Sequence, residues 1–214
     1  VGNIKNNSKI ILDYAHTPDA LKYTLESIKE QFGQSSISIV FGCGGDRDKD
    51  KRTIMGKIAN EYCDKIYLTN DNPRYENPKK IRNQIKKKIS RSKLFEIASR
   101  KTAIKVAIKN LNSGNILLVA GKGHEIYQEY KGNKKLFSDK KYILKEIKLK
   151  NKKLFNNWKA NILKEKCNLK SVNKKLKIKK ASINSKTIRK NDIFFAIKGS
   201  KNDGNDYADE AIKK

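Results

Sequence analysis

The residues of this chain best suited to chemistry lie in four short polar segments, and the most informative is Asp71-Asn72-Pro73-Arg74. It puts an acid, an amide and a guanidinium on one loop whose shape a proline restrains. Such a loop can hold a small zwitterion, the carboxylate paired to an ammonium and the arginine forked onto a carboxylate. It also reads as a capped turn between a strand and a helix, because Asx and Pro are common turn residues. Taken alone, the loop leaves both readings open.

The other three segments are Asp13-Tyr14-Ala15-His16-Thr17-Pro18-Asp19, Gly42-Cys43-Gly44-Gly45-Asp46-Arg47-Asp48 and Gly121-Lys122-Gly123-His124-Glu125. Neither glycine-rich segment is a Walker loop, since no Ser or Thr follows a Gly-Lys pair at the end of a six-residue cradle. His124-Glu125 is not a zinc motif, for no second histidine lies one helical turn on. Cys43 has no general base paired to it in sequence, and its small size beside crowded glycines accounts for it. Asp46, Arg47 and Asp48 read as a solvated charged turn ordering the loop that presents Arg52.

Regular elements must position these segments. Ser8–Asp13, Ile37–Phe41, Lys65–Thr69, Leu94–Ile97 and Asn115–Ala120 read as strands. Thr17-Pro18-Asp19 has the hydroxyl cap, first-turn proline and acid of a helix start, and Leu21, Leu25 and Ile28 follow at helical spacing. Further helices are expected over residues 52–62, with Ile54, Ile58 and Ala59 inward, and over 78–89, 102–111 and 138–149. Residues 127–137, with Gly132-Asn133 at the centre, read as a hairpin. The alternation predicts an α/β fold, a Rossmann-like and mostly parallel sheet with helices on both faces. Ligands of such sheets gather at the carboxyl ends of the strands, and all four polar segments leave those ends.

Near residue 150 the composition shifts. Lys148–Lys153 reads as a basic linker, and Leu154–Cys167 has a helical pattern with Trp158 on its apolar side. Two strand-like stretches follow, Ile178–Ile183 and Asp192–Ile197, and a helix begins at Asp206. The expected domains are 1–150 and 151–214, the second truncated and the whole read as cut at both ends.

The 214 residues are 37% hydrophobic, enough for an ordinary core, and no apolar run approaches the roughly 18 residues of a membrane span. Three distant cysteines, Cys43, Cys63 and Cys167, suggest neither a disulfide framework nor a zinc site, and a cytoplasmic location is expected. The net charge of +28 usually points to nucleic acid. Here the excess is lysine spread along the chain, with no aromatic stacking platform or arginine cluster, so a general attraction to anions is expected and no nucleic-acid partner.

With the four segments in this order, residues 1–150 resemble the C-terminal domain of the MurE family of ATP-dependent Mur ligases. Ser182–Ile188, Asp192–Gly199 and Asp203–Asp206 resemble the start of a Mur ligase N-terminal domain, a truncated α+β unit of the MurF type. The resemblance therefore implies a MurE–MurF fusion; a spurious read-through or a decayed domain is the alternative for the tail. The tail has Asn184-Ser185-Lys186 where the family usually has Asp-Ser-Arg, and Asn205 where it has histidine. The resemblance implies addition of meso-diaminopimelate to UDP-N-acetylmuramoyl-L-alanyl-D-glutamate through an acyl phosphate. ATP is the implied co-substrate and Mg2+ the implied metal, held mainly by a central domain outside this chain. That domain also carries the P-loop and modified lysine, so no catalytic or metal-binding residue is expected here and the fragment alone is expected to be inactive. The implied diaminopimelate site is Arg52, Asp71, Asn72, Pro73, Arg74, Gly121 and Glu125. Asp13 and His16 are the implied nucleotide contacts, His16 reading equally as a residue that holds the helix entry. A non-catalytic small-molecule binding module and a basic nucleic-acid-binding protein are the alternative functions.

Overall fold

The structure is a computed structural model that describes residues 2–4, 6–156, 180–190, 192–198 and 202–213. It divides into two compact units, 1–150 and 151–214.

The first unit is built on a six-stranded sheet. Its strands are β1 (Gly2–Asn3), β2 (Lys9–Leu12), β3 (Ile37–Phe41), β4 (Lys65–Leu68), β5 (Leu94–Glu96) and β6 (Ile116–Val119). Their spatial order is β1-β2-β6-β3-β4-β5, parallel throughout except for the antiparallel edge β1. β3 and β6 are buried at every position, which explains why β6 reads as an unbroken apolar run and β3 as one interrupted only by Ser38.

The helices follow from handedness. α1 (Pro18–Phe32), α2 (Asp50–Tyr62) and α3 (Pro78–Ile85) connect strands that step in one direction across the sheet. Right-handed crossovers put them on one face, where Leu21, Leu25, Met55, Ile58, Ile81 and Ile85 share a core with Ile39, Phe41 and Leu118. α4 (Arg100–Lys109) returns the chain from β5 to β6 and so lies on the other face, against β3, β4 and β6. The side chains of Thr17, Asn77 and Ser99 cap α1, α3 and α4 by accepting from backbone N–H groups of their first turns. β7 (Tyr127–Tyr130) and β8 (Asn133–Leu136) form the expected hairpin, and α5 (Asp139–Asn156) follows.

Two expectations are corrected. The inner face of α2 is Arg52, Met55, Gly56, Ile58 and Ala59, while Ile54 is 49% exposed. A buried arginine holds the first inward position, so an apolar count misplaces the face. Residues 148–153 are not a linker but lie within α5. Lys150 Nζ donates to the carbonyls of Ile108 and Lys109 in the last turn of α4 and of Leu111 just beyond it, where the helix's own hydrogen bonds end.

In the second unit, β9 (Lys180–Ser182) and β10 (Asp192–Phe194) pair in parallel, and α6 (Ala208–Ile212) closes the described chain. Asn184 Oδ1 accepts from the Lys186 N–H at 2.9 Å, Ser185 Oγ donates to Glu210 at 2.8 Å, and Asn205 Nδ2 donates to Asp203 at 2.8 Å. Trp158, Cys167 and Gly199 lie outside the described residues, as does nearly all of the helix expected over 154–167.

Candidate functional site

The order β2-β6-β3-β4 brings the loops after four parallel strands to one end of the sheet. A cleft of about 220 Å³ opens between them, lined by residues that include Tyr14, His16, Gly42, Cys43, Arg47, Lys51, Asp71, Asn72, Arg74, Gly121 and Glu125. The loops interlock through close backbone approaches that only glycine allows. A Cβ on Gly42 would stand 2.2 Å from the Thr69 carbonyl oxygen, and one on Gly45 would stand 1.9 Å from that of Pro73. Gly121 has φ 105°, a conformation that side chains other than hydrogen rarely adopt, and a Cβ there would meet Asp71 Oδ2 at 3.1 Å.

Asp71 and Asn72 are buried, at 8% and 3% exposure, although both line the cleft. Asp71 Oδ1 accepts from the Asn72 N–H at 2.7 Å, whereas Oδ2 is buried without a hydrogen-bond partner. Asn72 uses both ends of its amide: Nδ2 donates to Glu125 Oε2 at 2.9 Å, and Oδ1 accepts from Lys122 Nζ at 2.9 Å and from the Glu129 N–H at 3.1 Å. Lys122, fully buried, also reaches Glu125 Oε2 at 2.7 Å. Burial pushes the Glu125 pKa up, but the hydrogen bonds from Lys122 and Asn72 outweigh it, so the carboxyl titrates below its usual range. Glu125 is therefore an anion at neutral pH.

Arg74 adopts φ 49° and pairs with the hairpin through its backbone, its N–H on the Glu129 carbonyl and its own carbonyl receiving the Lys131 N–H. Its Nη1 donates to the Gly45 carbonyl at 2.6 Å, and its Nε lies 3.7 Å from Glu129 Oε2. Pro73 contributes shape, with its carbonyl accepting from the Glu76 N–H and packing onto Gly45.

Arg52 is placed differently. It is fully buried and does not line the cleft. Its Nη1 and Nη2 grip both oxygens of Glu76 at 2.9 and 2.8 Å, with further bonds to Gln84 Oε1 and the Gly44 carbonyl. Glu76 in turn accepts from the Asp46 N–H at 2.6 Å, so the pair ties the glycine loop to the Asp71–Arg74 loop. Arg47, read from sequence as part of a solvated turn, is the arginine of this loop that lines the cleft.

Asp13 accepts from the Ala15 N–H at 2.9 Å and from Thr24 Oγ1 at 3.2 Å, bracing the turn into α1 rather than lining the cleft. His16 does line it, exposed, with Nδ1 3.0 Å from the Tyr14 carbonyl. Tyr14 stands between His16 and His124, with ring centroids 4.6 and 5.6 Å away. Cys43 lies against Met55, and burial pushes its thiol up to about 12, so it is no nucleophile at neutral pH. Among the described residues no group of three His, Cys, Asp or Glu side chains is placed to hold a metal ion. Nor is any helix among them long and apolar enough to cross a membrane.

Sequence reasoning missed Arg47, Lys122, Arg100 and Asp139. Lys122 was legible as part of a motif but not as the cation under Glu125. Arg100 and Asp139 lie 39 residues apart, and their pairing has no local signal.

The fold and site define a class. Residues 1–123 match the family model "Mur ligase, glutamate ligase domain", and the chain belongs to that family. More particularly, it is 51% identical over 146 residues to the UDP-N-acetylmuramoyl-L-alanyl-D-glutamate--2,6-diaminopimelate ligase of Rickettsia rickettsii, and 49% identical over 141 residues to that of Cytophaga hutchinsonii. The first alignment covers 67% of this chain and 30% of the relative, the second 64% and 29%. A solved structure of a ligase of the same name superposes with TM-score 0.62 at 40% identity, covering 66% of this chain and 29% of that one. The chain thus spans about 30% of the length of the curated relatives it matches, and its first unit is a Mur ligase C-terminal domain close to the MurE type.

Proposed function

We propose that residues 1–150 are the acceptor-binding domain of an ATP-dependent ligase that adds meso-diaminopimelate to UDP-N-acetylmuramoyl-L-alanyl-D-glutamate. The observation that carries this reading is that both acids and arginines line one small cleft. Its acids are Asp71, with a buried oxygen lacking a partner, and Glu125, held as an anion; its arginines are Arg74 and Arg47. A ligand end bearing both an ammonium and a carboxylate satisfies both, and diaminopimelate has such an end where lysine has only the ammonium.

Asn72, Gly121 and Pro73 shape this pocket. Arg52 acts from beneath as a positioning residue, holding Glu76 and Gly44 so that Arg47 and Arg74 face the cleft. ATP, when bound, supplies the phosphoryl group that activates the carboxylate of the UDP-muramoyl dipeptide as an acyl phosphate. The distal grip described here leaves the opposite amine of the acceptor free to attack it. Asp13 holds the loop that presents His16 toward a nucleotide, with the Tyr14–His16–His124 cluster as the aromatic surface beside it. Magnesium would be held mainly by a central domain of the ligase, as the resemblance implies. Residues 151–214 are read as the start of a MurF-like N-terminal domain, supported by β9, β10 and the turn at Ser185 but departing from the usual motif at Asn184, Lys186 and Asn205. The expected setting is the cytoplasm.

The test is ligation by the protein of the complete reading frame containing these residues, supplied with ATP, magnesium, the UDP-muramoyl dipeptide and either meso-diaminopimelate or L-lysine. Product with diaminopimelate alone is expected. Arg74→Ala should abolish that preference, since the half-buried guanidinium is the group that pairs with the carboxylate lysine lacks. An unchanged preference in Arg74→Ala refutes the acceptor assignment, and no product from the intact protein refutes the ligase.

A further inference from the structure

Against Asp71 lies a buried ion pair, Arg100 with Asp139, that the acceptor reading does not use. The Arg100 side chain is wholly buried. Its Nε donates to Asp139 Oδ1 at 2.9 Å, and its Nη2 donates to Asp139 Oδ2 at 2.6 Å and to the Ala120 carbonyl at 2.8 Å. Those bonds fix the guanidinium plane from α5 and from the end of β6, one residue before Gly121. The remaining nitrogen, Nη1, lies 3.6 Å from Asp71 Oδ2, and neither atom has a hydrogen-bond partner.

We infer that Arg100 is a positioning residue for the acceptor site, aiming Asp71 Oδ2 at the ligand while Asp139 holds Arg100 in place. This rests on the acceptor reading above and adds to it. Oδ1 is fixed by the Asn72 N–H, so the carboxylate plane is set from one side and the Arg100 guanidinium sets it from the other. At 3.6 Å the guanidinium attracts Oδ2 without consuming it as a hydrogen-bond acceptor. The oxygen is left for a donor arriving from the cleft, in the space kept open by the missing side chain of Gly121. Charge leads to the same conclusion. Two carboxylates and one guanidinium leave the cluster one unit negative, and a ligand ammonium completes it. Lysine could not replace Arg100, because a single ammonium cannot hold Asp139, the Ala120 carbonyl and Asp71 from one fixed plane.

The rival is a structural pair that merely ties α5 to β6. A thermodynamic cycle on the diaminopimelate KM of the complete ligase separates the two. Its corners are wild type, Asp71→Asn, the pair Arg100→Met/Asp139→Ala, and all three together. Removing Arg100 and Asp139 jointly leaves no uncompensated buried charge between them, so the pair variant should fold. Asp71→Asn and the pair variant should each raise KM about tenfold with kcat changed less than about twofold, as expected for lost acceptor binding. If Arg100 acts through Asp71, the triple variant should be no worse than the pair variant within about twofold. Penalties that multiply, or a pair variant with unchanged KM, overturn the inference. If the pair variant does not melt cooperatively, Arg100→Lys replaces it in the same cycle under the same criteria. Absence of product from the wild type refutes the acceptor reading itself and this inference with it, an outcome told apart by needing no variant at all.

Discussion

Replacing Glu76 by glutamine should weaken the unit and leave a signature in its acid limb. Glu76 receives two hydrogen bonds from the fully buried Arg52 and one from the Asp46 N–H, while its own side chain is 21% exposed. The hydrogen bonds from Arg52 are the main cause that lowers its pKa, from 4.5 to about 2, against an opposing contribution from burial. Because the folded value is depressed, the stability it provides is complete above the unfolded value and is lost as pH falls from about 4.5 toward about 2. A drop of that size corresponds to about 3 kcal/mol at neutral pH, reduced to about 2 kcal/mol for the water that reaches the carboxylate. Glutamine keeps the shape and can still accept from Arg52, but it leaves the buried guanidinium without its counter-ion. Urea unfolding at pH 7 should therefore show Glu76→Gln less stable by about 2 kcal/mol, with the gap to wild type closing by pH 2.5. A gap that is the same at pH 7 and pH 2.5, or one under about 0.5 kcal/mol at pH 7, would refute the assignment of Arg52–Glu76 as the clamp between the two loops.

Two other substitutions probe the scaffold. Gly45→Ala should cost more than about 2 kcal/mol in urea unfolding and raise the diaminopimelate KM, because a Cβ 1.9 Å from a backbone oxygen can be relieved only by moving the Pro73 loop. Lys150→Met should destabilise the unit by about 1 kcal/mol by removing the hydrogen bonds that tie α5 to the end of α4, and faster amide exchange over residues 104–111 is the measurement that locates the loss.

The parts of the fold that sequence displayed were those with local causes. Ile37–Phe41 and Asn115–Ala120 were legible because strands buried on both faces are mostly apolar, and Thr17-Pro18-Asp19 because a cap acts on its own helix. Loop convergence was also legible, since parallel alternation sends every such loop to one end. What failed involved charges with distant partners. Arg52 looked like a ligand contact, and its burial against Glu76, 24 residues on, has no local signal; Arg47 is exposed, as its charged turn suggested, and lines the cleft as well. Lys150 looked like linker for the same reason, its partners being carbonyls about forty residues earlier. The edge strand β1 has two residues and no pattern of its own.

The position of β6 has a consequence for biosynthesis. β2 and β3 emerge from the ribosome early, yet they never pair with each other; each pairs with β6, which is made some 75 residues after β3. Until Ile116–Val119 emerges, the nascent chain holds two separate strand groups with open inner edges, β1–β2 and β3–β4–β5, and open edges of this kind invite pairing with other chains. A chain shortened before residue 116 should therefore accumulate in aggregates rather than as a smaller folded unit, for the strand inserted last is the one that makes the sheet continuous.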